Sequence, residues 1–268
     1  MHAYPPLGVE VRTPRLVLAG ATDERLARLL PVVRAGVVGP EPLPFDDPMS
    51  LYADSPEREW RWLRGIWAGR AQVDPDRWRL YFVVLVDDEP VGMQDLVGTD
   101  FSRFGSVTTF SWLAPGARGN GIGSEMRGAI LHLAFDGFGA REATSEAFVD
   151  NHASNRVSER LGYEPNGSDW ATRRGDAAML RRWRLTRERW AESRRADIGL
   201  AGVEECRPVL GLCPGPGCSP AAPRRIGCGH DEQAAATHRR HCRGSDRPCP
   251  AGGRGRCHRG VRSLGHHG

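Results

Sequence analysis

Ser111-Trp112-Leu113, then Ala114-Pro115-Gly116-Ala117, then Arg118-Gly119-Asn120-Gly121-Ile122-Gly123-Ser124 is the most informative stretch of this chain. The first three residues close an apolar run that begins at Val107 and reads as a strand. Pro115 marks a short loop, and from Gly123 the apolar positions Met126, Ile130 and Leu133 recur at helical spacing. Between strand and helix stand the glycines 119, 121 and 123. Without a Cβ the backbone can approach a ligand closely and turn several N–H groups toward it. At the start of a helix those N–H groups have no intrahelical acceptor and carry the positive end of the dipole. The stretch therefore reads as an anion cradle. A Walker loop is excluded, because it needs a lysine and this chain contains none. A dinucleotide fingerprint needs a different glycine spacing after the first strand of a parallel sheet. On the loop alone, a flexible turn before an ordinary helix stays open.

Upstream, three strand candidates follow one another: Trp78 to Val86, Val91 to Val97, and Val107 to Leu113. The tight polar connection Asp87-Asp88-Glu89-Pro90 makes the first two a hairpin, and Phe101 to Gly105 is a loop before the third. Downstream, Asp136-Gly137-Phe138-Gly139 stops the helix. A strand from Glu142 to Val149, a helix from His152 to Leu161 and a stop at Gly162 follow. Two strands, Asp169 to Arg173 and Met179 to Leu185, precede a helix capped by Thr186 and ending near Arg195. Nearer the start, Arg15 to Leu18 reads as a first strand and Thr22 as the cap of a helix that Pro31 should kink or end. Gly36 to Pro48 is a loop. A second helix is expected from Ser55 as cap and Pro56, with Trp60, Leu63 and Trp67 on its buried face. Antiparallel strands followed by a strand-helix-strand-helix unit make the order α+β.

Composition changes abruptly near Cys213. Residues 213–268 contain no aromatic side chain and six of the seven cysteines. Such a segment cannot offset its ordering entropy. It reads as a low-complexity, disordered tail whose composition fits an out-of-frame translation of GC-rich DNA, leaving 9–212 as the folding domain. A metal site built from Cys228, His230, His238, His241, Cys242, Cys249, Cys257 and His258 is the functional rival, but no C-x-x-C pair or regular zinc spacing supports it. The body carries 27 arginines against 30 acids, so the basic excess belongs to the tail and supplies no nucleic-acid footprint. No apolar run is long enough for a membrane span, and the first residues lack a signal-peptide pattern, so the expected location is cytoplasmic.

Arg118-x-x-Gly121-x-Gly123 resembles the (Q/R)-x-x-G-x-(G/A) motif of the GNAT acyltransferases. Two further segments extend the resemblance over Val9 to Arg195: Arg12-Thr13-Pro14-Arg15-Leu16 looks like the opening of the subgroup that acylates ribosomal-protein N-termini, and Asn151-x-x-Ser154 through Leu161-Gly162-Tyr163 looks like its N-x-x-S…LGF helix. The resemblance implies an α+β fold with a central, mixed but mostly antiparallel twisted sheet flanked by helices. It implies acetyl-CoA or succinyl-CoA as donor, with no metal, and an amine acceptor: a protein N-terminus or lysine first, a small-molecule amine second. It leaves room for a homodimer, and for a fold that binds CoA without catalysis. The residues it assigns to the donor are Trp112, Leu113, Arg118, Gly119, Asn120, Gly121, Ile122, Gly123, Ser124 and Asn151.

The chemistry so implied is direct transfer from a thioester to a neutral amine. An α-amine is about a tenth neutral at pH 7 and a lysine roughly once in 2500, costs of a little over ~1 and about 4.6 kcal/mol. Glu146, five residues before Asn151, matches the glutamate suggested as base in ribosomal N-terminal acetyltransferases, and its other reading is a solvent-facing strand residue. Asp95 is the reserve base. Many members place a tyrosine seven residues after the asparagine to protonate the leaving thiolate; here that position is Ser158, a poor acid that can still hydrogen-bond the sulfur. Asn151 holds the pantetheine or the splayed strands, or is an ordinary helix cap. A backbone N–H near Trp112 or Leu113 would hold the oxyanion. Tyr163 is expected in the core, and His132 as a surface or satisfied histidine.

Overall fold

The computed structural model describes residues 3–36, 44–45 and 51–212. The tail assignment and its rival metal cluster concern residues 213–268 and lie outside the described residues, as does most of the expected loop from Gly36 to Pro48. In chain order the strands are β1 (Glu10–Arg12), β2 (Val17–Gly20), β3 (Arg77–Val86), β4 (Glu89–Thr99), β5 (Ser106–Leu113), β6 (Glu142–Phe148), β7 (Glu164–Arg173), β8 (Asp176–Thr186) and β9 (Gly199–Ala201). The helices are α1 (Asp23–Ala35), α2 (Glu57–Ala71), α3 (Phe101–Phe104), α4 (Ile122–His132), α5 (His152–Arg160), α6 (Arg187–Ala191) and α7 (Val203–Cys206).

Among the described residues these nine strands form one sheet in the order β7-β8-β6-β5-β4-β3-β2-β1-β9. Every pairing described by register is antiparallel except β5 with β6. The β3–β4 hairpin turns on Asp87 and Asp88, both with positive φ, a geometry that matches the twist of the flanking strands. Alternation along the strands then serves two layers. Leu80, Phe82, Val84 and Leu96 face one core with α4, whereas Val83, Leu85 and Met93 face another with Leu26, Leu29 and Val33 of α1 and Trp62 and Ile66 of α2. No helix among the described residues is long and apolar enough to cross a membrane.

Several expectations are corrected. α1 passes through Pro31 and ends only at Gly36, whose φ is 92°. One lost hydrogen bond at Pro31 does not outweigh the burial of Leu29 and Val33 on either side. α2 begins at Glu57 without a side-chain cap, because the Ser55 hydroxyl bonds the Glu59 carboxylate instead. Its buried face carries Glu59, Trp62 and Ile66, while Trp60 and Trp67 are 60% and 48% exposed. Both residue sets fit helical spacing, and Glu59 is tolerated inside because Ser55 and Arg34 bind it. Phe101–Phe104 forms a helical turn rather than a loop, and β7 and β8 are longer than expected. Thr186 caps α6, but that helix stops at Ala191. Two three-residue strands were not foreseen; β1 lies between β2 and β9.

Candidate active site

β5 and β6 pair only over Ser106 to Thr108 and Glu142 to Thr144. Beyond the Thr108–Thr144 hydroxyl contact of 2.8 Å the two strands have no register with each other, while each keeps its outer partner, β4 or β8. The result is a V-shaped opening. From Thr108 to Leu113 the open edge of β5 extends about 17 Å. A cavity of ≈ 630 Å³ occupies this region, lined by residues of β5 and β6, by the glycine loop, and by the start of α5.

The loop meets the opening at its wide end. Gly119 and Gly121 have φ of 83° and 80°, in the region that only glycine adopts without strain. Gly121 caps α4, and its carbonyl accepts from Ser124 and Glu125, so the N–H groups of Ile122 and Gly123 precede the helix's own hydrogen bonding. Gly119, Gly121, Gly123 and Ser124 line the cavity; the Ile122 side chain points into the core and leaves only its backbone to the cradle. Asn120 is exposed and does not line the cavity, but its carbonyl accepts from Arg15 at 2.8 Å. Arg15 also pairs with Glu125 at 3.4 Å, and the Thr13 hydroxyl donates to Glu125 at 2.6 Å. The segment singled out near the N-terminus thus braces the loop and neutralises the one acidic side chain in the first turn of α4. Arg118, exposed overall, folds back over the end of β5, donating through Nε and Nη2 to the Leu113 carbonyl at 3.0 and 2.8 Å, and partial desolvation there pulls its guanidinium below the ordinary value.

Asn151 caps α5, accepting from the Ser154 N–H at 3.1 Å, and lines the cavity. The strand-holding task belongs to Asn155, which sequence reasoning missed. Buried in α5, it donates to the carbonyls of Phe148 and Asn151 at 2.9 and 3.0 Å and accepts from the Trp183 indole at 2.9 Å, tying α5 to β6 and β8. Ser158 departs from its expected place: it is buried, its nearest hydrogen bond is back to the Ser154 carbonyl, and it does not line the cavity. Seven residues after the cap the helix has turned this position toward the core. Arg156 and Arg160, four apart on the exposed face, do line it and form no ion pair among the described residues. Asp150 is neutralised by a bidentate contact with Arg173 at 3.0 Å, which holds its carboxyl below the usual range. Cations therefore dominate the wide end.

Glu146 and Trp112 line the cavity, with Glu146 exposed and Trp112 buried against the α1–α2 layer. Leu113 lines it as well. Asp95 does not; it is buried on Arg79 at 2.6 Å, and burial raises its carboxyl against the pull of that arginine. On the α4 side of the opening lies a residue that no motif or spacing marks out. Arg127, only 5% exposed, reaches Ser145 of β6 at 2.9 Å and Ser111 of β5 at 3.4 Å, spanning the two diverging strands. Tyr163 is buried beside it, facing Thr109 and Arg127, and burial raises its phenol. His132 is buried rather than superficial, 3.4 Å from Asp136 and packed edge-on to Trp190. No three His, Cys, Asp or Glu side chains among the described residues are grouped to hold a metal ion.

A profile described as acetyltransferase (GNAT) domain matches residues 21–164. Among solved structures, an acetyltransferase (GNAT family) from Bacillus anthracis superposes with a TM-score of 0.52 at 14% identity, over 67% of this chain and 99% of its own. A GCN5-related N-acetyltransferase from Brucella melitensis gives 0.54 at 16% over 68% and 80%. The RimL ribosomal L7/L12 alpha-N-protein acetyltransferase in complex with coenzyme A gives 0.50 at 19%, over 65% and 95%. At such identities these likenesses speak for the fold alone.

Proposed function

The chain belongs to the GNAT acetyltransferase family and is an acyl-CoA-dependent N-acyltransferase; from that premise we propose that it moves an acetyl or succinyl group to a primary amine of a protein, through the opening between β5 and β6. The observation that carries this reading is the parting of those strands beyond Thr108 and Thr144, directly onto a glycine turn that opens a helix. An extended ligand with amide groups can pair with the free edge of β5, as an added strand would. Its pyrophosphate meets the N–H groups of Ile122 and Gly123 and the positive end of α4. Arg118, Arg156 and Arg160 supply cations around it.

Glu146 takes the amine proton, directly or through water. For an α-amine the work is small, a little over ~1 kcal/mol at pH 7, against about 4.6 for lysine. An exposed carboxylate in an open cavity suits the lighter task, and the RimL relative acts on a protein α-amine by its own description. The leaving thiolate needs no strong acid, since an ordinary thiol titrates near pH 8.5. Ser158 is therefore assigned to the helix rather than to the sulfur, and a backbone N–H of β5 near Trp112 or Leu113 is assigned to the oxyanion. Residues 9–212 carry the activity, and 213–268 are proposed to contribute nothing to it.

The test is thiol release from acetyl-CoA with peptides that offer a free α-amine, a lysine with blocked N-terminus, or neither. Release that depends on the α-amine peptide supports the assignment; equal release with a small polyamine and none with peptides contradicts it.

A further inference from the structure

The cavity passes through the sheet from one layer to the other. Leu113 and Met126 line it from the α4 core, whereas Phe45 and Trp112 line it from the core built on α1 and α2. Alternation along the strands sorts the remaining residues. Ser111 of β5 and Ser145 of β6 turn to the α4 side, where both meet Arg127. Phe110 and Trp112 therefore face the other side, as do Glu146 and Phe148, and Leu180 of β8 lies opposite Phe148 in register. Phe45 is fixed across from them by the Tyr52 hydroxyl, which accepts from its N–H at 2.7 Å and donates to its carbonyl at 2.6 Å. The acids next to these rings are occupied: Asp150 by Arg173, which stacks 4.5 Å from the Phe148 ring centre, and Asp95 by Arg79, 5.2 Å from that of Phe110. Around the Glu146 carboxylate, the far wall is thus aromatic and aliphatic: Pro44, Phe45, Phe110, Trp112, Phe148 and Leu180.

We infer that this far wall is a side-chain pocket for the acceptor, and that the preferred acceptor is a chain N-terminus whose first residue is large and apolar, of the leucine or phenylalanine kind. The inference rests on the reading of acyl transfer to a protein α-amine above and names the substrate class of that same site. With the donor along the open edge of β5 and the amine at Glu146, the side chain borne next to the amine falls beside Phe148, two residues along β6 and about 7 Å away. That is close to the span from an α-amine to the far end of a leucine or phenylalanine side chain. Packed between Phe45, Phe148 and Leu180, such a side chain leaves water for hydrocarbon. An alanine is too short to reach the wall. A serine hydroxyl would give up water to meet aromatic and aliphatic carbon. The donor side of the cavity, where Ser111, Arg127 and the glycine loop stand, takes no part in this choice.

The experiment measures kcat/KM with acetyl-CoA for peptides identical except at the first residue, which is Phe, Leu, Ala or Ser, in the full chain and in Leu180→Asn. The full chain should favour Phe or Leu over Ser by about 10- to 100-fold, the worth of burying one large apolar side chain. In Leu180→Asn, which sets a polar group into the wall, that ratio should fall about five- to tenfold. Because the ratio is internal to each sample, a reduced folded fraction does not move it. Should Leu180→Asn fail to fold, Phe45→Ala removes the opposite side of the pocket and should lower the same ratio. Should neither variant fold, the ratio in the unmodified chain decides. Peptides beginning with Ser or Ala acylated as well as those beginning with Phe or Leu overturn this inference and leave α-amine transfer intact, as does an apolar preference that survives the substitutions. No acylation of any peptide overturns both.

Discussion

The same chemical change, glycine to alanine, should act in opposite directions at two positions two residues apart. Gly121 holds a φ of 80° as the cap of α4, a conformation that costs a residue with a Cβ roughly 1–2 kcal/mol. The added atom would meet only Arg15 Nη1, at 3.6 Å, so the penalty is backbone strain and not collision. Gly123 lies in the first turn of the same helix, where a Cβ would touch Leu113 and Val157 at 3.9 Å, an ordinary contact. Alanine exceeds glycine in a helix interior by about 0.8–1 kcal/mol, and in a first turn about half of that is expected. With about 2–4 °C per kcal/mol for a domain of this size, Gly121→Ala should lower Tm by about 2–8 °C and Gly123→Ala should raise it by about 1–2 °C. CoA should widen the gap. To relieve its strain Gly121→Ala must rotate the N–H groups of Ile122 and Gly123 out of the cradle, weakening CoA about tenfold, whereas Gly123→Ala keeps them in place. The assay is thermal unfolding of both variants with and without CoA. Shifts of the same sign, or equal stabilisation of both by CoA, would refute the reasoning.

Glu146→Gln should lower kcat by about 100-fold with an α-amine acceptor while leaving the Kd of CoA unchanged; stopped-flow acylation and titration calorimetry give the two values. His132 is held below its ordinary value by burial, which outweighs the nearby Asp136, so its protonation opposes folding. Stability is full above about pH 6.5, the unfolded value, and falls as pH drops below it. Urea unfolding at pH 7.5 and 5.5 should show that loss, and His132→Gln should remove it from this window. Truncation after Leu212 should leave both Tm and thioester turnover unchanged, and a loss of either would count against assigning the activity to residues 9–212.

The fold was legible where local chemistry and tertiary environment agree. The meander β3–β4–β5 shows itself through apolar runs broken by Asp87-Asp88, and the cradle through glycines that two positive φ values require. It was illegible where a polar side chain takes a core position. Glu59 hid the buried face of α2, because nothing local announces that Ser55 and Arg34 will receive its carboxylate. Arg127 hid the floor of the cavity for the same reason: beside Met126 and Ile130 it reads as the solvated edge of a stripe, and only the divergence of β5 and β6 turns it inward. β1 and β9, three residues each, carry no pattern long enough to read and exist through their pairing. The spacing that suggested Ser158 as a hydrogen-bond partner of the sulfur was real as spacing, yet it leads into α5's packed side.

The cradle is tested most directly by thermal unfolding with free CoA, which has the pyrophosphate and the pantetheine arm but no acyl group. A ligand bound only to the folded chain at 100 times its Kd stabilises it by about 2.7 kcal/mol. Tm should therefore rise by roughly 5–11 °C in saturating CoA, and pantetheine without the nucleotide should give much less. Unchanged Tm with CoA would contradict a cofactor cradle at Gly119 to Ser124.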